Sequence, residues 1–505
     1  MNLKAVWRLL GVVLLLLAGF LLVPAGVALL FGESSVAGAF LLSAVITAAA
    51  GGIPAYFFRE NLKTNEGKLA FFRREGIAVV GLAWIVGGAA GALPYVLTGT
   101  LPSPVDAFFE SVSGLTTTGS TVLSGEAIEA MSRGVAFWRS FTHWLGGFGI
   151  VMVFVVLFPT GGRSLFRSEI PGIAREAGHQ RVRDSALSLM RIYVGASVIE
   201  FVLLWLAGMS IFDSVLHTFG TLATGGFSNY SSSVAAFQSF PIEGIITLFM
   251  FLAGINFAYY DQMLRQGFRT AWRNMASSTE LRAYVLITVG STLAIAGVLW
   301  FWGGSNGMEE TADGLPDYSS LTQCLRDSLF QVVCLNTSTG YATADFDRWP
   351  QFCRVLLMFL AVIGACAGST GGGIKVVRVL IVSKAALGGV RRFFRPRAIH
   401  GVRMDGASLD EGIVGSVTSY FALWILVFGF GTLVLSAFGY DLVSSATAVL
   451  ATLNNIGPGL NMVGPMLNFA ELNDLVKLVL SVFMILGRLE FYAVVALFVP
   501  GFWRR

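Results

Sequence analysis

The sequence predicts an all-α polytopic membrane protein, and two observations lead to that fold class. Hydrophobic residues make up 55% of the 505 residues and charged residues only 13%. The apolar residues form near-continuous runs rather than alternating or amphipathic patterns. Runs of about 20 residues, enough for a helix to cross the hydrocarbon core, recur along the chain. A third observation, four apolar segments that are too short to cross, indicates how the helices are organised.

The first two predicted helices precede the repeating part of the chain. The apolar run from Leu9 to Phe31 is long enough to span a membrane and lacks a small-residue cleavage site. We therefore predict a retained first helix rather than a signal peptide. A second span follows before Arg59, so residues 1–75 are predicted to form a helix pair and its connector.

Lysine and arginine concentrate in alternate connectors. The basic connectors are 59–74, 163–183, 265–282 and 375–403. The connectors that begin at Phe31, Ser228, Asn306 and Gly439 are poor in basic residues. The positive-inside rule places the basic set on the cytoplasmic side. Both termini are expected there too, given Lys4, Arg8, Arg504 and Arg505.

Beyond the first helix pair, one unit recurs four times: a full span, a short apolar segment, a turn with glycine, and a second full span. The short segments are 105–115, 211–222, 321–335 and 442–453. About a dozen residues cannot cross about 30 Å of hydrocarbon, so each segment must enter and return on one side. The repeats are predicted at 76–184, 185–280, 281–405 and 406–505, giving ten spanning helices and four re-entrant loops.

Each short segment ends in a glycine-containing turn: "LTTTGS", "LATGGFS", "NTSTGY" and "NNIGPGL". Irregular backbone at membrane depth is tolerated only where it is buried or lines a water-filled path. Glycine allows the backbone to direct successive carbonyls toward one axis, and rings of carbonyl oxygens can replace the hydration shell of a cation. A single copy would be explained more simply as a helix end or a tight turn, since glycine is the commonest helix terminator. Four copies in equivalent positions predict a cation filter.

A glycine-rich stretch, "GACAGSTGGGIK" from Gly364, interrupts the second span of the third repeat. Each glycine in a helix is about 1 kcal/mol less favourable than alanine, so we expect a broken helix with a loop in its middle. Close helix packing is the alternative, but packing motifs place small residues at every fourth position. Lys375 ends the stretch, and its side chain is expected to reach the lipid headgroups, with repulsion of cations as the alternative. A phosphate-binding loop is excluded because no Ser or Thr follows this lysine.

Arg488 lies within an apolar run from 475 to 500, where an arginine is costly and therefore suggests a function. Glu490 is only two residues further and would point to another face of a helix. Carbonyls of the glycine-rich stretch are the expected partners of Arg488, with Asp327 or Glu110 as the alternative. Asp213 and Asp441 are expected to cap short helices.

Catalysis and tight metal binding are not indicated. The four cysteines have no CxxC spacing and the four histidines are scattered, so the sequence predicts neither a metal site nor a disulfide framework. No cluster of His, Cys or acidic residues has catalytic spacing, which argues against an enzyme.

Together with "AGSTGGGIK" and "ILGRLEFYAVVALF", the four loops resemble the Trk/Ktr/HKT superfamily of potassium transporters over nearly the whole chain. The extra helix pair resembles the bacterial TrkH subunit type. The resemblance implies potassium uptake across a bacterial inner membrane through a channel-like pore, and a homodimer. It also implies a cytosolic regulatory subunit of the TrkA type that binds a nucleotide, NAD or ATP/ADP. This chain is expected to hold no cofactor and to bind no nucleic acid.

The resemblance also assigns site residues. The implied potassium-binding filter consists of Thr117, Thr118, Gly119, Ala223, Thr224, Gly225, Ser338, Thr339, Gly340, Asn455, Ile456 and Gly457. The implied gate consists of Gly368, Ser369, Thr370, Gly371, Gly372, Gly373, Lys375 and Arg488. A secondary transporter that couples potassium to Na⁺ or H⁺ through broken helices is the alternative mechanism.

Overall fold

The computed structural model describes residues 1–58, 73–157, 182–305, 318–395 and 401–503. Most of the basic connectors at 59–74 and 163–183 lie outside the described residues, as do residues 306–317 of a base-poor connector, residues 396–400 of the basic connector 375–403, and Arg504 and Arg505. The described helices, in chain order, are α1 (Leu3–Leu30), α2 (Ser34–Phe57), α3 (Arg73–Leu97), α4 (Pro104–Leu115), α5 (Gly125–Glu129), α6 (Arg133–Leu157), α7 (Val182–Leu206), α8 (Ile211–Leu222), α9 (Phe240–Ala253), α10 (Phe257–Gln266), α11 (Phe268–Ser277), α12 (Thr279–Ser305), α13 (Leu321–Asn336), α14 (Gln351–Val362), α15 (Val376–Phe394), α16 (Glu411–Ala437), α17 (Leu442–Asn454), α18 (Asp474–Arg488), α19 (Tyr492–Val495) and α20 (Pro500–Trp503).

One small hairpin interrupts this helical architecture on the basic side of the described chain. Strand β1 (Arg403–Met404) pairs antiparallel with β2 (Ala407–Ser408) between α15 and α16. The two turn residues, Asp405 and Gly406, both have positive φ, at 48° and 79°. That is the backbone of a tight two-residue turn, for which an Asp-Gly pair is favoured.

The first two helices pack closely because glycines face each other. A Cβ atom added to Gly11 would lie 2.5 Å from the carbonyl oxygen of Gly51, and one added to Gly51 would lie 2.6 Å from that of Gly11. Small residues at such a crossing let two helix backbones approach within a membrane. Helix α1 also packs against α3 and α6, so the pair covers one flank of the first repeat.

The four short segments are helices, as predicted. They are α4, α8, α13 and α17, and each bound agrees with the prediction within one residue. The long first helices of the repeats are α3, α7, α12 and α16. Each short helix packs against the second helix of its own repeat and against that of the preceding repeat: α4 with α6 and α18, α8 with α9 and α6, α13 with α14 and α9, and α17 with α18 and α14. The four repeats therefore close into a ring.

The second helices of the repeats are less regular than the full spans predicted for them. In the described ranges, six helices are long and apolar enough to cross a membrane: α1, α2 and the first helix of each repeat. The pair α9 and α10 makes a seventh, bent by 86° at its break. Helix α14 ends at Val362 and α15 begins at Val376, while α18 ends at Arg488 before two residues with positive φ. Three of the four second helices are thus interrupted near their middle or end, and the sequence predicted only the break in the third repeat.

Candidate functional site

The four loops that follow the short helices share one backbone conformation. A residue with positive φ comes first in each, with values of 54°, 54°, 58° and 54° at Thr117, Thr224, Ser338 and Asn455. Two residues later each loop has a glycine with φ of 84°, 80°, 84° and 94°, at Gly119, Gly226, Gly340 and Gly457. The left-handed region is costly for residues with a Cβ atom, so this recurrence reflects a shared structural demand.

The second loop has a different register from the predicted one. Its equivalent triplet is Thr224, Gly225 and Gly226, one residue later than the predicted Ala223, Thr224 and Gly225. Ala223 instead forms the C-cap of α8. The sequence could not distinguish two adjacent glycines, because either one permits a positive φ. The triplets of the other three loops agree with the predicted residues.

The glycines of the four loops pack against one another in cyclic order. A Cβ atom added to Gly119 would overlap the carbonyl oxygen of Gly225, and one added to Gly226 would overlap that of Thr339. The same holds for Gly340 and the carbonyl oxygen of Ile456. The ring closes at Gly457, whose added Cβ would lie 3.1 Å from the carbonyl oxygen of Thr118. Each loop thus places a backbone carbonyl directly against the glycine of the preceding loop.

A cavity lies at this ring, on the side of the base-poor connectors. It has a volume of about 110 Å³ and is lined by the positive-φ glycine of every loop and by the residues that follow, such as Ser120, Phe227 and Pro458. The four short helices all end at the loops, so the negative ends of their dipoles point toward the site. Backbone oxygens and helix dipoles together favour a cation there.

In three repeats, the side chain at one equivalent position of the short helix binds the residues that follow the positive-φ glycine of its loop. Glu110, His217 and Gln331 each lie seven residues before the first positive-φ residue. Glu110 accepts hydrogen bonds of 3.0 Å from the hydroxyl of Thr121 and the amide of Val122. His217 lies 3.2 Å from the hydroxyl of Ser228, and Gln331 donates to Thr343 at 3.4 Å. In the fourth repeat the hydroxyl of Thr447 accepts from the amide of Leu460 at 3.0 Å.

A buried ion pair connects the first loop to the second. The Nε atom of Arg139 lies 2.7 Å from Oε1 of Glu110, and the two side chains are 4% and 0% exposed. Arg139 also donates to the carbonyl of Ser228 at 2.7 Å and lies 3.7 Å from the ring centroid of Phe227. Glu110 is therefore engaged by Arg139 and cannot serve as the partner of Arg488.

Of the two acidic residues expected to cap short helices, Asp441 has that role, whereas the expectation was wrong for Asp213, whose carboxylate accepts from the side chains of Asn229 and Tyr230. The carboxylate of Asp441 accepts from the amides of Val443 and Ser444 at 3.0 Å, which makes it the N-cap of α17. Asp213 lies in the first turn of α8 and pairs with the N-cap Ser210, whose hydroxyl accepts from the amide of Asp213 at 3.0 Å.

The glycine-rich stretch is a loop between α14 and α15, as predicted, and it lies against the loops that follow the short helices. The amide of Gly372 donates to the hydroxyl of Ser338, the first positive-φ residue of the third loop. A Cβ atom added to Gly371 would lie 2.9 Å from the carbonyl oxygen of Thr337. The glycine-rich loop is thus packed against the four loops on the side opposite the cavity.

The same loop is bonded to the break between α9 and α10. The amide of Cys366 donates to the carbonyl of Gly254 at 3.0 Å, and the amide of Phe257 donates to the carbonyl of Gly368 at 3.0 Å. Breaks in two second helices therefore satisfy each other's backbone groups. The break at 254–256 was not predicted; its only sequence signal is the "GIN" triplet within an apolar run.

Arg488 contacts the glycine-rich loop, as predicted. Its guanidinium donates to the carbonyl of Thr370 at 2.9 Å and to that of Gly146 in α6 at 3.3 Å. The side chain is 7% exposed. The alternative partner Asp327 instead accepts from Gln323 at 2.9 Å.

Lys375 does not reach outward to the headgroups, and that prediction was wrong. Its ammonium donates to the carbonyl of Gly371 and lies 3.5 Å from that of Gly372. The glycine-rich loop presents several carbonyls at the start of α15, and a flexible ammonium beside them satisfies those oxygens.

Comparison with known proteins identifies the family. The TrkH family of cation transport proteins matches residues 46–504. The chain is 35% identical over 510 residues to the Trk system potassium uptake protein TrkH of Escherichia coli K12, and both are covered completely. It is 31% identical to TrkG of the same organism, which is covered at 99%. The crystal structure of the potassium transporter TrkH from Vibrio parahaemolyticus superposes with a TM-score of 0.87 at 33% identity, covering both chains completely. The chain therefore belongs to the TrkH family of cation transport proteins.

Proposed function

We propose that this protein takes up potassium across a bacterial inner membrane through a channel-like pore whose filter is the ring of four loops. The observation that carries the proposal is the cyclic packing of four equivalent carbonyl-bearing loops around the positive-φ glycines. A ring of backbone oxygens can replace the hydration shell of an alkali cation. The relatives of this chain named as potassium uptake proteins support potassium as the ion.

The filter of this proposal consists of the triplets 117–119, 224–226, 338–340 and 455–457. Their side chains differ, since the fourth loop has Asn455 and Ile456 where the first has Thr117 and Thr118. Backbone oxygens are therefore the element that all four loops can contribute.

The gate of this proposal is the glycine-rich loop together with Arg488. The loop lies at the filter end opposite the cavity, where it would obstruct an ion that leaves the filter. Arg488 holds the loop by a bond to one of its carbonyls and is itself tied to α6 through Gly146. An arginine buried at this depth is costly, which argues for a function.

The wider assembly of this proposal rests on the resemblance to the family and on the distribution of charge. The basic connectors and both termini lie on the cytoplasmic side by the positive-inside rule. We infer a homodimer and a cytosolic regulatory subunit of the TrkA type, which carries the nucleotide, NAD or ATP/ADP. The dense basic segment 391–403 suits docking of such a subunit.

Uptake of radioactive rubidium into liposomes that contain the purified protein tests the function. We expect rubidium uptake that is driven by a potassium gradient alone and that potassium suppresses better than sodium. Uptake that occurs only with an imposed sodium or proton gradient would instead support the coupled transporter. Liposomes without protein provide the background, and absence of rubidium uptake under every gradient would refute potassium transport by this chain alone.

A further inference from the structure

We propose that Glu280 is a positioning residue that holds the glycine-rich loop in place at both of its ends, and that Asp405 of the hairpin in turn fixes Glu280. The inference rests on the gate described under the proposed function. It adds a second side chain that holds the gate, on an element that carries none of the gate or filter residues.

Glu280 binds two backbone amides that lie on either side of the glycine run. Its Oε1 atom accepts from the amide of Ala367 at 2.7 Å and from the amide of Val377 at 3.3 Å. Ala367 is 4% exposed and immediately precedes Gly368, the first glycine of the gate, whereas Val377 lies in the first turn of α15. One carboxylate oxygen therefore connects the residue before the glycine run to the helix that follows it.

The carboxylate also supplies a cap that α15 lacks. The N-cap residue of α15 is Lys375, which makes no side-chain capping bond. The first amides of a helix have no partner within the helix, and a negative charge beside them is favourable. Glu280 reaches the amide of Val377 from the first turn of α12, so the start of α15 is held against α12.

Glu280 and Arg488 satisfy loop groups of opposite polarity. Arg488 donates to the carbonyl of Thr370, and Glu280 accepts from the amide of Ala367 only three residues earlier. A loop at membrane depth needs partners for both kinds of backbone group. Removing either side chain leaves part of the loop backbone without its partner, so both should oppose displacement of the loop.

The hairpin connects Glu280 to the surface on the basic side. The carboxylate of Asp405 accepts from the amide of Thr279, the first residue of α12, at 2.8 Å. The ammonium of Lys384 in α15 donates to the carbonyl of Arg403 at 2.9 Å. The hairpin therefore contacts both helices that Glu280 joins, and a displacement of the hairpin would reach Glu280 through a single residue.

Rubidium uptake by matched variants tests the proposal. Glu280→Ala should raise basal uptake about fivefold or more, in the same direction as Arg488→Ala, since a buried amide loses its only side-chain acceptor. Asp405→Ala should give a smaller increase. The matched controls are Glu411→Ala, an exposed first-turn acid of α16, and Asp410→Ala, which removes the cap of the same helix. Both controls should leave uptake unchanged.

A native cysteine reports on the loop without ion flux. Cys366 precedes Ala367 and is 1% exposed, so its alkylation by N-ethylmaleimide should be slow and should accelerate in Glu280→Ala. Peptide mass spectrometry gives the rate, with the buried Cys324 of α13 as the internal reference. If Glu280→Ala does not fold, Glu280→Gln, which keeps the shape and one acceptor oxygen, should show a smaller acceleration.

The outcomes separate this inference from the gate on which it rests. An increase in both uptake and Cys366 alkylation in Glu280→Ala supports the positioning role. If Arg488→Ala raises uptake while Glu280→Ala and Glu280→Gln match the unaltered protein in both readouts, the role of Glu280 is refuted and the gate stands. If neither Arg488→Ala nor Glu280→Ala raises uptake, the gate itself is refuted.

Discussion

A single methyl group added at each of the four filter glycines should impair ion selectivity to unequal degrees. The variants are Gly119→Ala, Gly226→Ala, Gly340→Ala and Gly457→Ala. All four glycines have φ between 80° and 94°, so each alanine carries a backbone cost of about 1–2 kcal/mol. The space around the new methyl group differs, because the ring of loops closes less tightly between the fourth repeat and the first.

The expected magnitudes follow from these contacts. At Gly119, Gly226 and Gly340 the methyl group would overlap a carbonyl oxygen of the next loop, whereas at Gly457 it would lie 3.1 Å from one. Overpacking typically adds about 1–3 kcal/mol. The first three variants therefore cost about 2–5 kcal/mol and Gly457→Ala only about 1–2 kcal/mol. A difference of about 1.4 kcal/mol is a factor of ten in an equilibrium constant.

Competition of rubidium uptake by potassium and by sodium measures the outcome. The preference for potassium should fall about tenfold or more in the three overlapping variants, and by a smaller factor in Gly457→Ala. Gly244→Ala is the control, because this glycine lies in α9 with an ordinary φ and nothing within 4 Å of an added Cβ. Equal losses in Gly457→Ala and Gly340→Ala would refute the asymmetric ring. An unchanged preference in all four would refute the filter.

Three further variants test other contacts. Arg488→Ala should raise basal rubidium uptake by releasing the glycine-rich loop. The control is Arg282→Ala, which removes an exposed arginine of α12 and should leave uptake unchanged. Unchanged uptake in a folded Arg488→Ala protein would refute the gate. Arg139→Ala leaves Glu110 buried and unpaired and should lower the free energy of unfolding by about 3–5 kcal/mol. The control Arg265→Ala breaks a more exposed ion pair and should lower it by about 0–1 kcal/mol. Asp441→Ala should cost about 1 kcal/mol. Hydrogen bonds from Ser444 hold the pKa of Asp441 below its usual value, so its contribution is present at neutral pH and is lost as pH falls through the folded-state pKa. Unfolding midpoints measured from neutral to acidic pH should therefore converge for the variant and the unaltered protein.

The short helices could be predicted closely because their limits are set by local chemistry. Length alone distinguished segments of about a dozen residues from spans, and a glycine turn marked each C-terminal end. At the starts, the predicted cap Asp441 is the N-cap of α17, whereas the N-cap of α8 is Ser210 rather than the predicted Asp213. Signals of this kind act over a few residues and are legible in one sequence.

The register of the second loop could not be predicted for a tertiary reason. Gly225 and Gly226 both permit the required backbone, and their neighbours decide which one takes the positive φ. The ring of His143 occupies the position where a Cβ atom of Gly225 would lie, and the third loop occupies the corresponding position at Gly226. Both positions therefore exclude a side chain, but only Gly226 also has a positive φ that glycine tolerates.

Glu280 and Lys375 illustrate side chains whose partners lie far away in sequence. An acid in the first turn of a helix is explained locally by the helix dipole, and a lysine near the basic side is explained by lipid headgroups. In the fold, Glu280 instead binds amides 87 and 97 residues away, and Lys375 turns back to its own loop. Local explanations that are sufficient for such residues conceal their tertiary partners.

The interruptions in the second helices supply backbone partners for the proposed gate. An unbroken helix satisfies its own backbone groups and has none to offer a neighbour. At the breaks, Cys366 and Phe257 exchange bonds with Gly254 and Gly368, and Arg488 covers a carbonyl of the same loop. Glu280 and the hydroxyl of Ser338 satisfy amides of the loop in the same way. The loop is therefore held by partners on other elements rather than by a hydrogen-bond ladder of its own. In the proposed gate such a segment can block a path and still be displaced, provided that its backbone groups find other partners or water in the open pore.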